Sequence, residues 1–299
     1  MVELLKKRHI TNAIAKSYAK YTKNKPIILI DLGATNCRAT IRNEKGEKIL
    51  RGILKSKYHA KVKPSKKSVL DAIHKVTERY LEVYTEAEVR IAVPGIVSDK
   101  ITLPNLNIAN WDLKRELYKL FGHTNIKIIN DVVAAYHGEN TKGTVIYVGS
   151  GIGASENGEN LELGRSFTYP DFKYIGYSKG RNIVENFAGG LALKSQCKKY
   201  DVNINGDAHE IGKMLNDRAL RDENSKRVLH ETGKILGELI NSYHSHSKHG
   251  DDWEYVIGGS LGKNQYYFDG IKQACKLNVK KSGYEGSEAI YKGLIKIFN

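Results

Sequence analysis

The 299 residues include 40% hydrophobic and 27% charged side chains, a balance typical of a globular protein with room for two domains and a sizeable core. Three widely spaced cysteines argue against a disulfide framework, and no apolar run approaches the roughly 20 residues of a membrane span, so we predict a cytoplasmic protein without a membrane partner. The formal net charge of +15 invites a nucleic-acid interpretation, but the basic residues are scattered and not interleaved with aromatic side chains, so no nucleic-acid partner is predicted.

Residues 1–25 carry apolar side chains at helical spacing, which predicts a helical extension packed on the domain that follows. An apolar strand at 27–30 comes next. A second strand begins near Cys37, and a third covers 49–55. Strand, glycine-containing turn and strand together predict a hairpin.

The turn of that hairpin has the chemistry of a phosphate site. Asp31 follows the first strand, where a carboxylate can hold a metal ion through water, and Gly33 and Ala34 leave backbone N–H groups open to a phosphate. A tight hairpin also favours Gly and Asn, so the motif alone is a weak signal. Three side chains add donors: Thr35, Asn36 and Arg38.

The rest of the first half alternates helix and strand, an order that suits a mixed sheet with helices. Apolar spacing and composition predict helices at 66–84 and 112–121, strands at 89–93 and 126–130, and a loop or short strand at 101–108.

Asn130 and Asp131 lie where the strand at 126–130 ends and a helix begins. Open α/β sheets place ligand-handling residues at the carboxyl ends of their strands, so the pair is a candidate site. Asn and Asp are also preferred helix N-caps, and from these residues alone an ordinary cap is an equal alternative.

The second half of the chain begins like the first. A strand at 143–148 ends in a turn, Gly149–Gly153, that contains three glycines, and the chain can then return as another strand. Two such turns on two similar halves could grip one nucleotide from opposite sides. Further helices are predicted at 182–197, 209–216, 223–244 and 287–298, and a last strand at 253–257 that leads into Gly258, Gly259 and Ser260.

Four motifs, in this order, resemble the sugar kinases of the actin-like ATPase superfamily, and most closely the ROK (repressor, open reading frame, kinase) family of glucokinases and hexokinases. The resemblance runs from about Ile27 to Gly262. Within the family, the chain is similar to an archaeal-type hexokinase without a zinc loop. The motifs are Asp31-Leu-Gly-Ala-Thr-Asn, Asn130-Asp131 with Ala134-Ala135 and Gly138-Glu139, Gly149-Ser-Gly-Ile-Gly, and Ile257-Gly-Gly-Ser.

The resemblance implies an α/β fold with two actin-like (ribonuclease H-like) domains of mixed sheet plus helices around a nucleotide and sugar cleft. We expect a small domain at 26–130 and a large domain at 131–286. The C-terminal helix, at about 287–299, is a candidate to pack back on the small domain.

The implied activity is ATP-dependent phosphorylation of a hexose at its 6-hydroxyl, with ATP and Mg²⁺ as cofactors. Asp131 would be the general base, and Asp31 would hold Mg²⁺ through water. Gly33–Asn36 with Arg38, and Ser150 with Gly151, would contact the phosphates, and Gly258–Ser260 would contact the nucleoside. The implied sugar-binding residues are Asn105, Asn130, Asp131, Glu162, Arg165 and Glu185.

Two of these assignments rest on local matches. Glu162 lies in Leu-Glu-Leu-Gly-Arg, which resembles the family's Gly-Glu-Ile-Gly-His segment, and Glu185 begins the helix that follows the family's zinc loop. Arg165 stands at the histidine position, and 176–185 contains no cysteine, so the four soft or imidazole ligands of a tetrahedral zinc site are lacking and no zinc is predicted. His244, His246 and His249 are expected to be surface side chains.

Several alternatives stay open. An N-acetylhexosamine kinase fits the same motifs, since no residue reports on the substituent at the sugar's 2-position. A sugar-sensing regulator without kinase activity is the alternative of another class, but 25 residues ahead of the first strand are too few for the DNA-binding domain of the family's repressors. A chaperone- or filament-type ATPase would not explain the two glutamates. The sequence is compatible with a homodimer.

Overall fold

The computed structural model describes residues 25–34, 36–49, 54–57, 64–84, 87–122 and 125–299. The predicted helical extension, apart from Lys25, and Thr35 of the first turn lie outside these residues. Within the described ranges, no helix combines the length and the apolar character that crossing a membrane requires.

The chain divides into two compact units. The first contains the residues up to Val93 together with Val97–Ile129 and Leu294–Asn299, and the second contains Pro94–Ile96 and Asn130–Gly293. Pro94–Ile96 therefore belong to the second unit although the sequence on both sides of them belongs to the first.

A five-stranded sheet in the order β3-β2-β1-β4-β7 forms the centre of the first unit. Its strands are β1 (Ile27–Leu32), β2 (Asn36–Arg42), β3 (Leu54–Lys57), β4 (Glu88–Val93) and β7 (Ile126–Asn130). β1 pairs antiparallel with β2 and parallel with β4, and every residue of β1 is buried, as expected for a strand covered on both faces. The remaining elements are α1 (Lys66–Leu81), β5 (Ile101–Leu103), β6 (Ile108–Trp111) and α2 (Leu113–Phe121).

The second unit repeats this layout. Its sheet, in the order β10-β9-β8-β11-β12, pairs β8 antiparallel with β9 and parallel with β11. The strands are β8 (Thr144–Val148), β9 (Ile152–Glu156), β10 (Glu159–Asn160), β11 (Glu254–Gly258) and β12 (Asn278–Lys281). The helices are α3 (Asp131–Glu139), α4 (Leu163–Ser166), α5 (Glu185–Ala188), α6 (Leu193–Lys199), α7 (Ala208–Ala219), α8 (Glu223–Ser247), α9 (Gly259–Gly262), α10 (Gln265–Ala274) and α11 (Glu288–Phe298).

The continuous helix predicted at 182–197 is wrong. The chain forms α5, a 3₁₀ turn at Gly190–Ala192 and then α6. The break comes at Gly189 and Gly190, where a Cβ on either residue would meet backbone atoms of the Gly149–Gly151 turn. Gly190 N–H also donates to the Gly149 carbonyl at 2.8 Å. Tertiary contact with the turn thus replaces helical continuation.

Helix α10 and strand β12 were not predicted from the sequence. Gly270 lies inside α10 and lowers its helix propensity. In the structure this glycine is what allows close packing, because a Cβ at Gly270 would lie 2.0 Å from the His230 carbonyl oxygen of α8. In the same way, a Cβ at Gly233 of α8 would lie 1.9 Å from the Tyr267 carbonyl oxygen of α10. Two glycines therefore hold α8 and α10 in contact.

Helices α3 and α11 pack with the same constraint. A Cβ at Gly293 would lie 1.7 Å from the Ala134 carbonyl oxygen, and one at Gly138 would lie 1.9 Å from the Ala289 carbonyl oxygen. Both contacts are with backbone, which cannot move aside as a flexible side chain can. Since α3 begins at Asp131, its position in the second unit depends on these glycines.

We expect Gly293→Ala to lower the free energy of unfolding by about 3 kcal/mol, the upper end for an overpacked core, because the added methyl group overlaps the α3 backbone. Chemical denaturation of the variant measures the loss. Gly283→Ala is the matched control, since a Cβ there meets nothing within 4 Å. Equal stabilities of the two variants would contradict the proposed packing constraint.

Candidate active site

Asn130 is the N-cap of α3. Its buried side chain accepts hydrogen bonds from the N–H groups of Val132 (2.9 Å) and Val133 (3.1 Å), and its Nδ2 donates to the Gly95 carbonyl at 2.7 Å. The capping alternative is therefore confirmed for Asn130. The same side chain also fixes the Pro94–Ile96 segment against the start of α3.

Asp131 is the first residue of α3, and its carboxylate is partly exposed. Oδ1 accepts the Val132 N–H at 2.9 Å. The helix N-terminus favours a negative charge at this point. Strand β9 starts beside the same helical turn, since a Cβ at Gly153 would lie 2.7 Å from Val132 Cγ1.

Glu185 and Arg165 form an ion pair beside the start of β9. Arg165 Nη2 lies 2.7 Å from Glu185 Oε1, and the two side chains are 12% and 4% exposed. Arg165 Nη1 also donates to the Ser178 carbonyl at 3.2 Å, and its guanidinium lies 5.8 Å from the centre of the Tyr177 ring. The Ile152 N–H is 3.4 Å from Glu185 Oε2. The pair thus joins the loop before α5 to β9.

Burial raises the pKa of Glu185 above its ordinary value, and the neighbouring Glu162 carboxylate acts in the same direction. Arg165 and the Ile152 N–H oppose the shift. Burial likewise raises the pKa of Tyr177, whose neighbours include Arg165 and both glutamates. These four side chains therefore form one electrostatic cluster, of which sequence reasoning missed Tyr177.

Glu162 precedes α4 with a left-handed backbone, φ 45° and ψ 41°. Its carboxylate accepts a hydrogen bond from Asn160 Nδ2 at 2.9 Å. Sequence reasoning also missed Asn160, since a lone asparagine at a strand end carries no motif. Close packing brings the segment of Glu162 to that of Glu185, because a Cβ at Gly164 would lie 3.0 Å from Glu185 Cβ and 2.7 Å from the Ile152 carbonyl oxygen.

The glycine turn after β8 is held by backbone hydrogen bonds. Gly149 N–H donates to the Gly151 carbonyl at 3.0 Å, and the Ser150 carbonyl accepts from Leu191 N–H at 2.9 Å. Because β8 and β11 are parallel, Gly258–Ser260 follows β11 at the same edge of the sheet. Gly259 has φ +82°, and a Cβ there would lie 2.4 Å from the Val148 carbonyl oxygen, so only glycine fits.

The predicted phosphate turn of the first unit is a hairpin between β1 and β2. Asp31 is buried and pairs with Arg38 at 3.0 Å, and Gly33 N–H donates to the Asn36 carbonyl at 2.9 Å. Asn36 Oδ1 is buried and has no hydrogen-bond partner among the described residues. An oxygen without a partner in the same hairpin as the Asp31 carboxylate is compatible with a hard cation such as Mg²⁺, which prefers oxygen ligands.

Asn105, the remaining predicted sugar residue, lies in the first unit on a 3₁₀ turn, Pro104–Leu106. The second unit alone brings together the cap residue, Asp131, the two glutamates and Arg165 around the start of β9. Ser150 and Gly151 lie on the turn immediately before that strand.

The prediction that the three histidines are surface side chains is wrong for His249. Its side chain is 6% exposed, with Nε2 lying 3.4 Å from Glu156 Oε1 and its ring 4.1 Å from the Trp253 ring. Burial lowers its pKa. His244 contacts the Tyr255 hydroxyl at 3.1 Å, and only His246 is exposed. Two of the three histidines, His244 and His249, therefore pack against aromatic residues at the start of β11.

Within the described part of the chain, no three His, Cys, Asp or Glu side chains gather as a metal-binding group. Arg165 has no acceptor atom with which to bind a metal, and it is paired with Glu185. The residue at the position of the family's histidine therefore does not fit a zinc site, and the expected absence of zinc stays a prediction.

The ROK family model matches residues 27–288. The chain belongs to the ROK family. A comparison with curated proteins found no match.

Solved structures of glucokinases and of a regulator share the fold. The ROK glucokinase from Streptomyces griseus, solved with glucose and AMPPNP, superposes with a TM-score of 0.71 at 19% identity and covers 91% of this chain and 98% of its own. Glucokinase from Balamuthia mandrillaris, solved with glucose, superposes with a TM-score of 0.69 at 14% identity. The match covers 95% of this chain and 97% of the glucokinase. A ROK transcriptional regulator, a homologue of the E. coli MLC protein, superposes with a TM-score of 0.62 at 17% identity. The match covers 92% of this chain and 81% of the regulator. At such identities the likeness shows the two-sheet α/β fold and no particular activity.

We expect Arg165→Met to destabilise this ROK protein by about 3–5 kcal/mol at pH 8, because a buried carboxylate loses its partner. The loss should shrink at pH 5. A carboxyl with a raised folded pKa is penalised only once pH exceeds its unfolded value, and removing Arg165 raises the pKa of Glu185 further. Urea unfolding at both pH values measures the effect.

Two variants control this prediction. Arg181→Met alters an exposed arginine in the same loop and should change stability by about 0.5 kcal/mol or less. Glu185→Gln combined with Arg165→Met should recover part of the loss, because the unpaired charge is gone. A loss in Arg165→Met that is the same at both pH values would contradict the role assigned to Glu185.

Proposed function

We propose that the protein transfers the γ-phosphoryl group of ATP to the 6-hydroxyl of a hexose. One observation carries the proposal: a partly exposed carboxylate on the first turn of α3, Asp131, and two acidic side chains, Glu162 and Glu185, belong to one compact unit around the start of β9. A base beside an acceptor-rich surface suits a neutral polyol, whose hydroxyls are hydrogen-bond donors.

Asp131 acts as the general base in this proposal. It accepts the proton of the sugar hydroxyl while that oxygen forms a bond to the γ-phosphorus, and the bond from phosphorus to the β-phosphate oxygen breaks to release ADP. A positioned base of this kind contributes about 10²–10⁴ in rate. Positioning and neutralisation of phosphate charge supply the rest.

The sugar hydroxyls are assigned to acceptors. Glu162 and Glu185 accept from ring hydroxyls, and Arg165 favours the ionised form of Glu185 while offering a donor to the ring. Asn130 Oδ1 already accepts two helix N–H groups, so its proposed sugar contact uses the amide nitrogen. The assignment of Asn105 rests on the family resemblance.

The nucleotide is assigned to the glycine turns. Ser150 and Gly151 contact phosphates, and Gly258–Ser260 contact the nucleoside, which the position of both turns at one sheet edge supports. In the first unit, Gly33–Asn36 and Arg38 are assigned to phosphates and Asp31 to Mg²⁺ through water. The bound Mg²⁺ would neutralise phosphate charge, and the partnerless Asn36 Oδ1 supports a cation or a water there.

Asp131→Asn should cut kcat by about 10² or more and leave hexose affinity within tenfold, because the amide keeps the shape but cannot take the proton. A coupled assay of ADP release gives kcat, and calorimetry gives the affinity. Asp207→Asn is a matched control: this residue is the partly exposed N-cap of α7 in the same unit, and Asn caps equally well. A loss of less than tenfold at Asp131 would remove it as the base.

A substrate panel tests the activity itself. We expect ADP release that depends on a hexose when glucose, mannose, fructose, glucosamine and the two N-acetylhexosamines are supplied with ATP and Mg²⁺. Stronger turnover of an N-acetylhexosamine would replace the hexose assignment. Sugar binding without turnover, together with a DNA gel shift at moderate salt, would favour the regulator that the transcriptional relative exemplifies.

A further inference from the structure

Asn160, at the end of β10, holds Glu162 at two points. Its Nδ2 donates to Glu162 Oε1 at 2.9 Å, and its Oδ1 accepts the Glu162 N–H at 3.1 Å. The second bond is an Asx turn, in which an asparagine side chain replaces a backbone carbonyl. One side chain thus determines both the backbone and the carboxylate of Glu162.

The backbone of Glu162 needs such a hold. Its φ of 45° and ψ of 41° lie in the left-handed region, which an L-residue with a Cβ adopts only when its surroundings fix it there. The carboxylate makes no capping bond to α4, the helix that it precedes. Glu162 therefore takes this conformation without acting as a helix cap.

The two carboxylate oxygens of Glu162 have different roles in this inference. Oε1 accepts the hydrogen bond from Asn160 Nδ2 at 2.9 Å, and Oε2 is assigned to a ligand hydroxyl. Since the side chain is held by Asn160 and repelled by Glu185, Oε2 has a preferred direction. A fixed acceptor loses less entropy when it binds a hydroxyl than a freely rotating one.

Asn160 also reaches towards the start of α3. Its Nδ2 lies 3.5 Å from the Gly95 carbonyl oxygen, which accepts the Asn130 Nδ2 at 2.7 Å. Gly95 has φ +113°, a conformation that glycine adopts without strain. A continuous series of polar contacts therefore leads to the start of α3 beside Asp131. It runs through Glu162, Asn160, Gly95 and Asn130.

We propose that Asn160 is a positioning residue of the sugar subsite. It points Glu162 Oε2 at a ring hydroxyl. Both amide hydrogens of Asn160 are directed at protein oxygens, so it acts through Glu162 and does not bind sugar itself. The inference rests on the proposed hexose kinase activity.

Asn160→Ala should raise the KM for the accepted hexose about tenfold, the effect of losing about 1.4 kcal/mol of binding. The kcat should stay within about threefold and the KM for ATP within about twofold, because only sugar binding uses Glu162. Steady-state kinetics with each substrate varied in turn measures all three. A structural defect alone would instead lower the active fraction and leave both KM values unchanged.

Asn157→Ala is the matched control. Asn157 lies in the same β9–β10 hairpin with a left-handed φ of 51° and is exposed. Its kinetics should equal those of the wild type. Asn160→Ala combined with Glu162→Gln supplies a double-mutant cycle, in which the asparagine change should raise the KM by less than about twofold further, since it acts through the glutamate.

Asn160→Asp covers the case in which the alanine variant does not fold. The aspartate keeps the acceptor for the Glu162 N–H but faces Glu162 with a like charge, so the hexose KM should rise most at high pH and fall towards the wild-type value as protonation restores a donor.

An unchanged hexose KM in both Asn160 variants, with the wild type active, overturns the role of Asn160 alone. Additive effects in the cycle overturn it equally. A wild type that phosphorylates no hexose overturns the proposed function and this inference together.

Discussion

The arrangement of the second unit depends on one capped helix end. Asn130 satisfies two N–H groups at the start of α3 and at the same time holds the Gly95 carbonyl. Without such a partner, the first N–H groups of a helix are left unsatisfied, which is costly when they are buried. The cap therefore fixes the start of α3 at Asp131, and through Gly95 it holds Pro94–Ile96, three residues whose neighbours in the sequence belong to the first unit. Capping and the proposed sugar contact would be two uses of one asparagine.

Around this helix end the candidate site is built by segments that approach closely at glycines. Gly153, Gly164, Gly189 and Gly190 each lie where a Cβ would overlap a neighbour. Because glycine has no side chain, β9, α4, α5 and the glycine turn can pack together in a small region that carries several polar side chains. Convergence of like charges has a cost, and the Arg165–Glu185 ion pair offsets it for the more buried glutamate. A guanidinium thus organises this loop by hydrogen bonds and charge.

Much of the fold followed from local pattern. The strands β1, β4, β7 and β8 and the helices α1, α2, α3 and α8 lie where apolar spacing placed them, because burial on one or both faces leaves a clear period in the sequence. The failures have a common cause. The helix predicted at 182–197 breaks, α10 forms despite Gly270, and His249 is buried, each because a distant segment supplies the deciding contact. Period and propensity carry no information about such partners.

The site divides in the same way. The sequence by itself determined the candidate residues, since Asp131, Glu162, Glu185 and the two glycine turns are recognisable from residue type and order. Together they established the ROK resemblance that the family match confirms. Only the tertiary structure decided what each side chain is bonded to: Asn130 to the helix N-terminus, Arg165 to Glu185, and Asn160 to Glu162. Hydrogen bonds and ion pairs act over a few ångströms between residues far apart in sequence, so their partners are set by the packing of the chain.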